Sequence, residues 1–269
     1  MKILSLCLAL GVLSSCASTV DWPMSHFHSS ETNGRARLRI EGGLQAQNSV
    51  VLTDDYTLTA PNAETPRVDR TLDFLVGGNV GILDRWDIGL RLPGYAFTKF
   101  QFIGSPRSES AIRSFSLSAV AAVAGSGSKQ SGDSWIGSTR YNVDKHDRMG
   151  ELSLVGGYRT SEALLVYLAP YAQAGSYEGS WTRTPLSGTT TINNFNGHIK
   201  NRGFNLGLVL TGANRIDILF ELGTGWTKTG QVHNRQWGGA LMVNILLYQP
   251  APASVPIESK PSAPTPDEV

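Results

Sequence analysis

Cysteine is nearly absent from this chain: 269 residues contain two, Cys7 and Cys16, and the first sits inside a leading apolar run. No disulfide framework can be built, so an exported product must be held by its fold alone. Charge is also sparse and balanced, with 23 Lys and Arg against 22 Asp and Glu, so no basic excess exists to neutralise phosphates and nucleic acid is excluded as a partner. Histidine is rare, and no Cys/His cluster has metal-ligand spacing, which excludes a structural zinc site and leaves no metal or cofactor to expect. No apolar stretch after the first 15 residues approaches the length of a membrane-spanning helix. Glycine-rich phosphate loops, Gly-x-Ser-x-Gly elbows and His-Glu-x-x-His pairs are missing as well.

What is present begins with Met1-Lys2 and the run Ile3 to Leu13, too short to span a bilayer and the right length for the core of a secretion signal. Leu13-Ser14-Ser15-Cys16 closes it and resembles the lipobox of bacterial lipoproteins. That resemblance implies cleavage after residue 15, diacylglycerol on the Cys16 thiol and acylation of the new amine, giving several chains and stable attachment. Ala17 and Ser18 follow where an aspartate would favour inner-membrane retention, so the resemblance implies the outer membrane. An ordinary cleaved signal with an incidental Cys16 is the plainer alternative. Loss of residues 1–15 removes Lys2 and leaves 22 basic and 22 acidic residues, a neutral mature chain.

Residues 16–34, with Trp22, His26 and His28, are polar and irregular and read as a tether. Beyond them apolar and polar residues alternate with the period of a β-strand. Leu38, Ile40 and Leu44 oppose Arg37, Arg39, Glu41 and Gln45; Leu72, Phe74 and Val76 oppose Asp73 and Gly77; Trp86, Ile88 and Leu90 oppose Asp87, Gly89 and Arg91. Further strands are expected near 115–123, 135–143, 151–159, 164–173, 204–211, 216–222 and 237–247. Residues 249–269 hold six of the thirteen prolines and read as a disordered tail.

Alternation alone is equally compatible with a lipid-tethered soluble β domain whose apolar face points inward. Three features favour the opposite arrangement over residues 35–248. The polar face is crowded with small residues such as Gly77, Gly89, Gly157, Gly207, Gly223 and Gly238, as a narrow lumen requires. Trp86, Trp135, Tyr158, Trp181, Trp226 and Trp237 lie near strand ends, as in interfacial girdles. Tight turns at 83–85, 160–162 and 212–214 alternate with longer connections at about 48–69, 99–112 and 182–200. The expectation is an all-β, antiparallel transmembrane barrel of about ten strands, with short periplasmic turns, longer outer loops and both termini periplasmic. Gly81-Ile82-Leu83-Asp84-Arg85-Trp86-Asp87-Ile88-Gly89-Leu90 is similar to the hairpins of outer-membrane β-barrel proteins, and Tyr248 resembles the terminal aromatic of their last strand.

Inward charges at Arg37, Arg39, Glu41, Asp73, Asp87, Arg91, Arg140, Glu151, Arg159, Asp217 and Glu221 have mixed signs and are expected to pair across the lumen, because an unpaired charge there costs several kcal/mol. Catalysis has one weak candidate, His146 with Asp144 and Asp147, placed in an outer loop with Asp54 and Asp55 as partner acids. It is similar to ten-stranded outer-membrane proteases in an Asp-x-His string, but the opposing Asp-x-Asp of those enzymes is missing. Lipid-modifying barrels need Ser, His and an acid on the rim, and neither His198 nor His233 has a Ser at suitable spacing. The expected role is therefore non-catalytic, in surface interaction or envelope structure, with outer-membrane lipid and a surface or periplasmic protein as partners. A narrow small-solute channel is the first alternative and a rim-active hydrolase the second.

Overall fold

The computed structural model describes residues 18–23, 26–92, 94–126, 132–212 and 215–248. The signal segment, Cys16 and the tail 249–269 lie outside them. Twelve strands form one antiparallel sheet: β1 (Ser18–Pro23), β2 (Leu38–Thr53), β3 (Arg67–Leu83), β4 (Trp86–Leu92), β5 (Tyr95–Ile103), β6 (Ser114–Ser126), β7 (Gly132–Ile136), β8 (Thr139–Arg159), β9 (Leu164–Pro185), β10 (Thr191–Thr211), β11 (Ile216–Thr229) and β12 (Val232–Tyr248).

Ten of these close a ring. Each consecutive wall strand pairs with the next, β6 pairs directly with β8, and β12 returns to β2 through Leu241↔Leu44, Val243↔Gly42 and Ile245↔Ile40. Closure satisfies the backbone groups that an open edge would present to lipid. β7 is an extra strand on the upper part of β8, and β1 lies on the upper part of β2.

The outer wall is apolar because every second residue faces out. Along β10 these are Phe204, Leu206, Leu208 and Leu210; along β11, Ile216, Ile218, Phe220 and Leu222; along β12, Leu241, Val243, Ile245 and Leu247, all exposed. The alternating partners Asn205, Val209, Asp217, Glu221, Asn244 and Leu246 are buried. Exposed aromatics border this band, with Trp86, Phe100, Phe115, Tyr158 and Tyr248 toward the short-turn end and Trp226 and Trp237 toward the other.

Several expectations are corrected in detail. The strand count of ten is reached with a strand that alternation did not reveal: β5 has Tyr95, Phe97, Lys99 and Gln101 buried and Phe100 and Phe102 exposed, so both faces carry rings. The segment 135–143 is not a separate wall strand but the β7–β8 hairpin. Residues 104–113 join β5 to β6 at the short-turn end, where the Arg107 amide donates to the Thr32 carbonyl at 2.9 Å. The long connection at 182–200 shrinks to 186–190, because β9 and β10 extend far beyond the apolar band. Trp181 is buried rather than interfacial and donates from its ring nitrogen to the Tyr56 carbonyl at 2.5 Å, beneath the 54–66 loop.

The largest correction concerns the tether. β1 pairs with the far half of β2, Ser18 opposite Thr53 and Pro23 opposite Gln47, so the described chain starts at the long-loop end. It leaves β1 heading inward, and the amide of Ala36 reaches the Gly81 carbonyl at the short-turn end, 2.7 Å away. Tyr248 is also at the short-turn end, opposite Leu38, so the two ends of the described chain lie at opposite mouths.

A charge placed in the outer band should be felt as a lipid-facing charge. Leu208→Arg, on the exposed face of β10, is expected to destabilise the barrel by about 2–4 kcal/mol in lipid vesicles near the midplane. Denaturant unfolding followed by tryptophan fluorescence measures it, and a change below ~0.5 kcal/mol would place this wall in water.

Candidate functional site

The lumen is the most elaborately built part of the molecule, and residues 26–34 occupy it. Polar wall residues alternate inward along each strand, and the inserted segment meets them with its own amides and carbonyls. Glu221 on β11 accepts four hydrogen bonds: from the amides of His26 and Phe27 at 2.7 and 3.0 Å, from the Tyr167 hydroxyl at 2.7 Å and from the Asn205 amide group at 2.7 Å. Arg91 on β4 donates to the carbonyls of His26 and Phe27 at 2.5 and 3.4 Å and to Glu41 at 2.7 Å. Backbone of both polarities is thus answered by charge of both signs, which makes these hydrogen bonds the strong kind.

The same logic continues down the segment. Ser30 meets the Ser116 hydroxyl at 2.6 Å. Glu31 is clamped by Arg159, whose Nε donates to Oε1 at 3.0 Å and whose Nη2 pairs with Oε2, while Ser110 adds a bond at 2.6 Å. The Glu31 carbonyl receives Lys99 Nζ at 2.6 Å, and Lys99 also lies 3.3 Å from Asp87. Asp87 in turn accepts from the Asn33 amide at 3.0 Å, and the side-chain oxygen Oε1 of Gln101 accepts from the Thr32 amide and hydroxyl, both at 2.8 Å. His26 Nδ1 faces Glu151 Oε1 at 3.0 Å, and the other oxygen of that carboxylate accepts from Gln173 and Tyr95, at 3.1 and 3.3 Å.

Two inward glycines show that the wall is shaped for the insert and for β1 before it. A Cβ on Gly157 would stand 2.0 Å from the Ser30 hydroxyl, and one on Gly175 would stand 2.5 Å from the Trp22 ring. The void beside Phe27, His28 and Asn33 measures about 20 Å³, room for about one water molecule. Above the insert a larger hollow of about 290 Å³ opens over the short β4–β5 hairpin, lined by Asp21, Gln45, Asp73, Arg91, Tyr95 and Lys145 among others.

Both mouths are covered. At the long-loop end the 54–66 segment folds over the rim: Tyr56 is buried, and the Gln231 amide donates to the Glu64 carbonyl at 3.0 Å. Within that loop the Thr57 amide and hydroxyl both donate to Asp55, and these bonds hold its carboxyl below the usual carboxylate range. At the other end Arg107 pairs with Asp217, and burial lowers its pKa to about 10, so it stays charged at neutral pH.

Of the eleven charges expected in the lumen, Arg39 pairs with Asp217, Glu41 with Arg91, Asp87 with Lys99, Arg159 with Glu31, and Glu151 and Glu221 hold the insert. Arg37 is half-buried at the short-turn mouth, and Asp73 is half-buried in the upper hollow, accepting from the Phe74 amide. Arg140 is corrected: it is exposed at the upper end of β8, away from this network. Expectation missed Glu31, Lys99, Gln101, Arg107, Tyr167 and Gln173, and also the insert itself.

The catalytic candidates do not assemble. His146 is exposed on β8, not in a loop, and faces the Glu178 position across the strands. Asp54 pairs with Arg67 at 2.8 Å, and Asp55 is engaged by Thr57. Ser176 lies opposite His198, but its hydroxyl accepts from Arg148 at 3.1 Å. No group of three metal-ligating side chains gathers among the described residues.

No protein family matches the chain, and no curated protein matches it in sequence. Solved structures that it resembles include the attachment invasion locus protein Ail of Yersinia pestis, at 11% identity and TM-score 0.31 over 78% of this chain and 96% of that one. The N-terminal β-barrel domain of Pseudomonas aeruginosa OprF aligns at 12% identity and TM-score 0.22 over 78% and 97%. These likenesses are too distant to bear on function.

Removing Glu31 should strand a buried guanidinium. Glu31→Ala is expected to cost about 3–5 kcal/mol, with Glu31→Ala/Arg159→Met recovering most of it. Denaturant unfolding of the single and double variants measures the coupling, and simple additivity of the two losses would mean that the pair does not hold the insert.

Proposed function

We propose that the protein is an outer-membrane β-barrel lipoprotein with a non-catalytic role, presenting its long-loop end for surface interaction or envelope structure around a lumen closed by its own N-terminal segment. The observation that carries this reading is residues 26–33 filling the lumen with paired charge and about one water's worth of free space beside them. A channel for small solutes needs a continuous wet path, which such an insert denies. A rim-active hydrolase needs a base, an acid and a nucleophile in reach of one another, and His146, Asp54 and Asp55 are each engaged or placed elsewhere.

The lipid on Cys16 belongs to this proposal. Only Ala17 separates it from Ser18, and the two steps of chain between them can reach at most about 7 Å, so the acyl chains would enter the bilayer at the long-loop rim. With short turns periplasmic, as in other barrels of this kind, that rim is the outer leaflet. The lipid then holds the threaded segment from outside, and the apolar belt holds the barrel independently.

Purified full-length protein in planar bilayers is expected to give no sustained current, whereas a variant lacking residues 26–33 is expected to conduct. Sustained single-channel current from the intact chain would overturn the closed lumen. Cys16→Ser is expected to remain in the outer-membrane fraction while losing incorporation of labelled fatty acid. Release into the soluble fraction would show that the lipid is the only attachment.

A further inference from the structure

On the outer wall just above the apolar band, three adjacent strands place basic side chains side by side. Lys200 on β10 is opposite Lys228 on β11, which is opposite His233 on β12; one step lower, Arg202 is opposite Trp226, which is opposite Arg235. All six are exposed and belong to the outward-facing set, since Asn201, Thr227 and Thr229 between them are buried. Among the described residues none of the four Lys and Arg has a carboxylate partner, in contrast to exposed Arg67, which pairs with both Asp54 and Asp69. A surface hollow of about 690 Å³ runs between them, floored by Ala172 and Ala174 on β9.

Height decides what this patch can meet. From Leu210 to Lys200 the strand advances about ten residues, which at ~3.4 Å each and a tilt of ~40° rises about 26 Å, the full height of a barrel's apolar band. The basic rows therefore lie at the level of lipid headgroups. Trp226 and Trp237 are at the same level, and Arg235 sits over both rings at 5.0 Å, which holds its guanidinium against the wall. Clustered like charges without acids are unfavourable unless an anion is supplied, and at that depth the available anion is a lipid phosphate.

We infer that this face binds a phosphate-bearing lipid of the leaflet at the long-loop end, with Lys200, Lys228 and Arg235 taking the phosphates and the exposed apolar wall below them, beginning at Phe204 and Leu222, taking the upper part of its acyl chains. The inference rests only on the barrel spanning a membrane, so the conductance result leaves it untouched and Cys16→Ser fractionation tests its premise separately.

The test uses the full chain in phosphatidylcholine nanodiscs doped with bisphosphorylated lipid A, its dephosphorylated form, or neither, with retained lipid counted by native mass spectrometry. Lipid A is expected to be retained and its dephosphorylated form lost. Each neutralised basic residue should weaken retention roughly fivefold, so K200Q/K228Q/R235Q should lose on the order of a hundredfold while R67Q leaves it unchanged. Gel mobility before and after heating confirms folding, and K228Q alone serves if the triple variant does not fold. Equal retention by the triple variant, equal retention of dephosphorylated lipid, or displacement of lipid A by equimolar inorganic phosphate would each overturn the lipid site.

Discussion

A carboxylate inside a narrow barrel must find hydrogen-bond donors, and here the donors are amides of the protein's own N-terminal chain. Glu221 and Asp87 take the amides of His26, Phe27 and Asn33, while Arg91 and Lys99 take the carbonyls between them. Once irregular backbone is chosen as the lumen's filling, much else follows. The wall must offer both charge signs at matched heights, keep glycines where the insert presses closest, and cover the mouths with the 54–66 and 104–113 connections. Unpaired backbone in such a space would cost about as much as the hydrogen bonds it lacks.

The wall was largely legible in the sequence because a two-sided barrel writes its period into the chain. Apolar residues at Leu206, Leu208 and Leu210 and polar ones at Asp217 and Glu221 separate the two faces of the sheet, although alternation by itself does not say which face points inward. Glycines on the polar face also pointed correctly to a crowded interior. β5 escaped because rings occupy both its faces, Tyr95 and Phe97 inside and Phe100 and Phe102 outside, so alternation of hydropathy vanishes while alternation of direction remains. The upper halves of β9 and β10 escaped because the pattern inverts above the apolar band, with Tyr177, Trp181, Phe195 and Ile199 buried inside and polar residues such as Glu178 and Asn196 outside.

The insert was illegible for a deeper reason. Residues 26–34 have no period, and their small polar side chains suit a solvated tether as well as a lumen, since in both places the backbone is hydrogen-bonded by something other than its own strand. Only the partners differ. The pairing of lumen charges was foreseen in kind, but Arg159 and Lys99 turn to the insert instead of to another wall strand. Expecting eleven wall charges to neutralise one another left no place for Glu31.

The seam between β2 and β12 joins the first wall strand to the last. Such a ring does not exist until the final residues have been made, so the insert has only two histories: it lay across an open, curling sheet before the seam formed, or it was drawn through a finished hoop. In either case contacts such as those from His26 to Glu221, 195 residues apart, cannot form before β11 is in place. A segment that precedes every wall strand in the chain is therefore held by residues of nearly the last one, and filling the interior and closing the wall are parts of a single act.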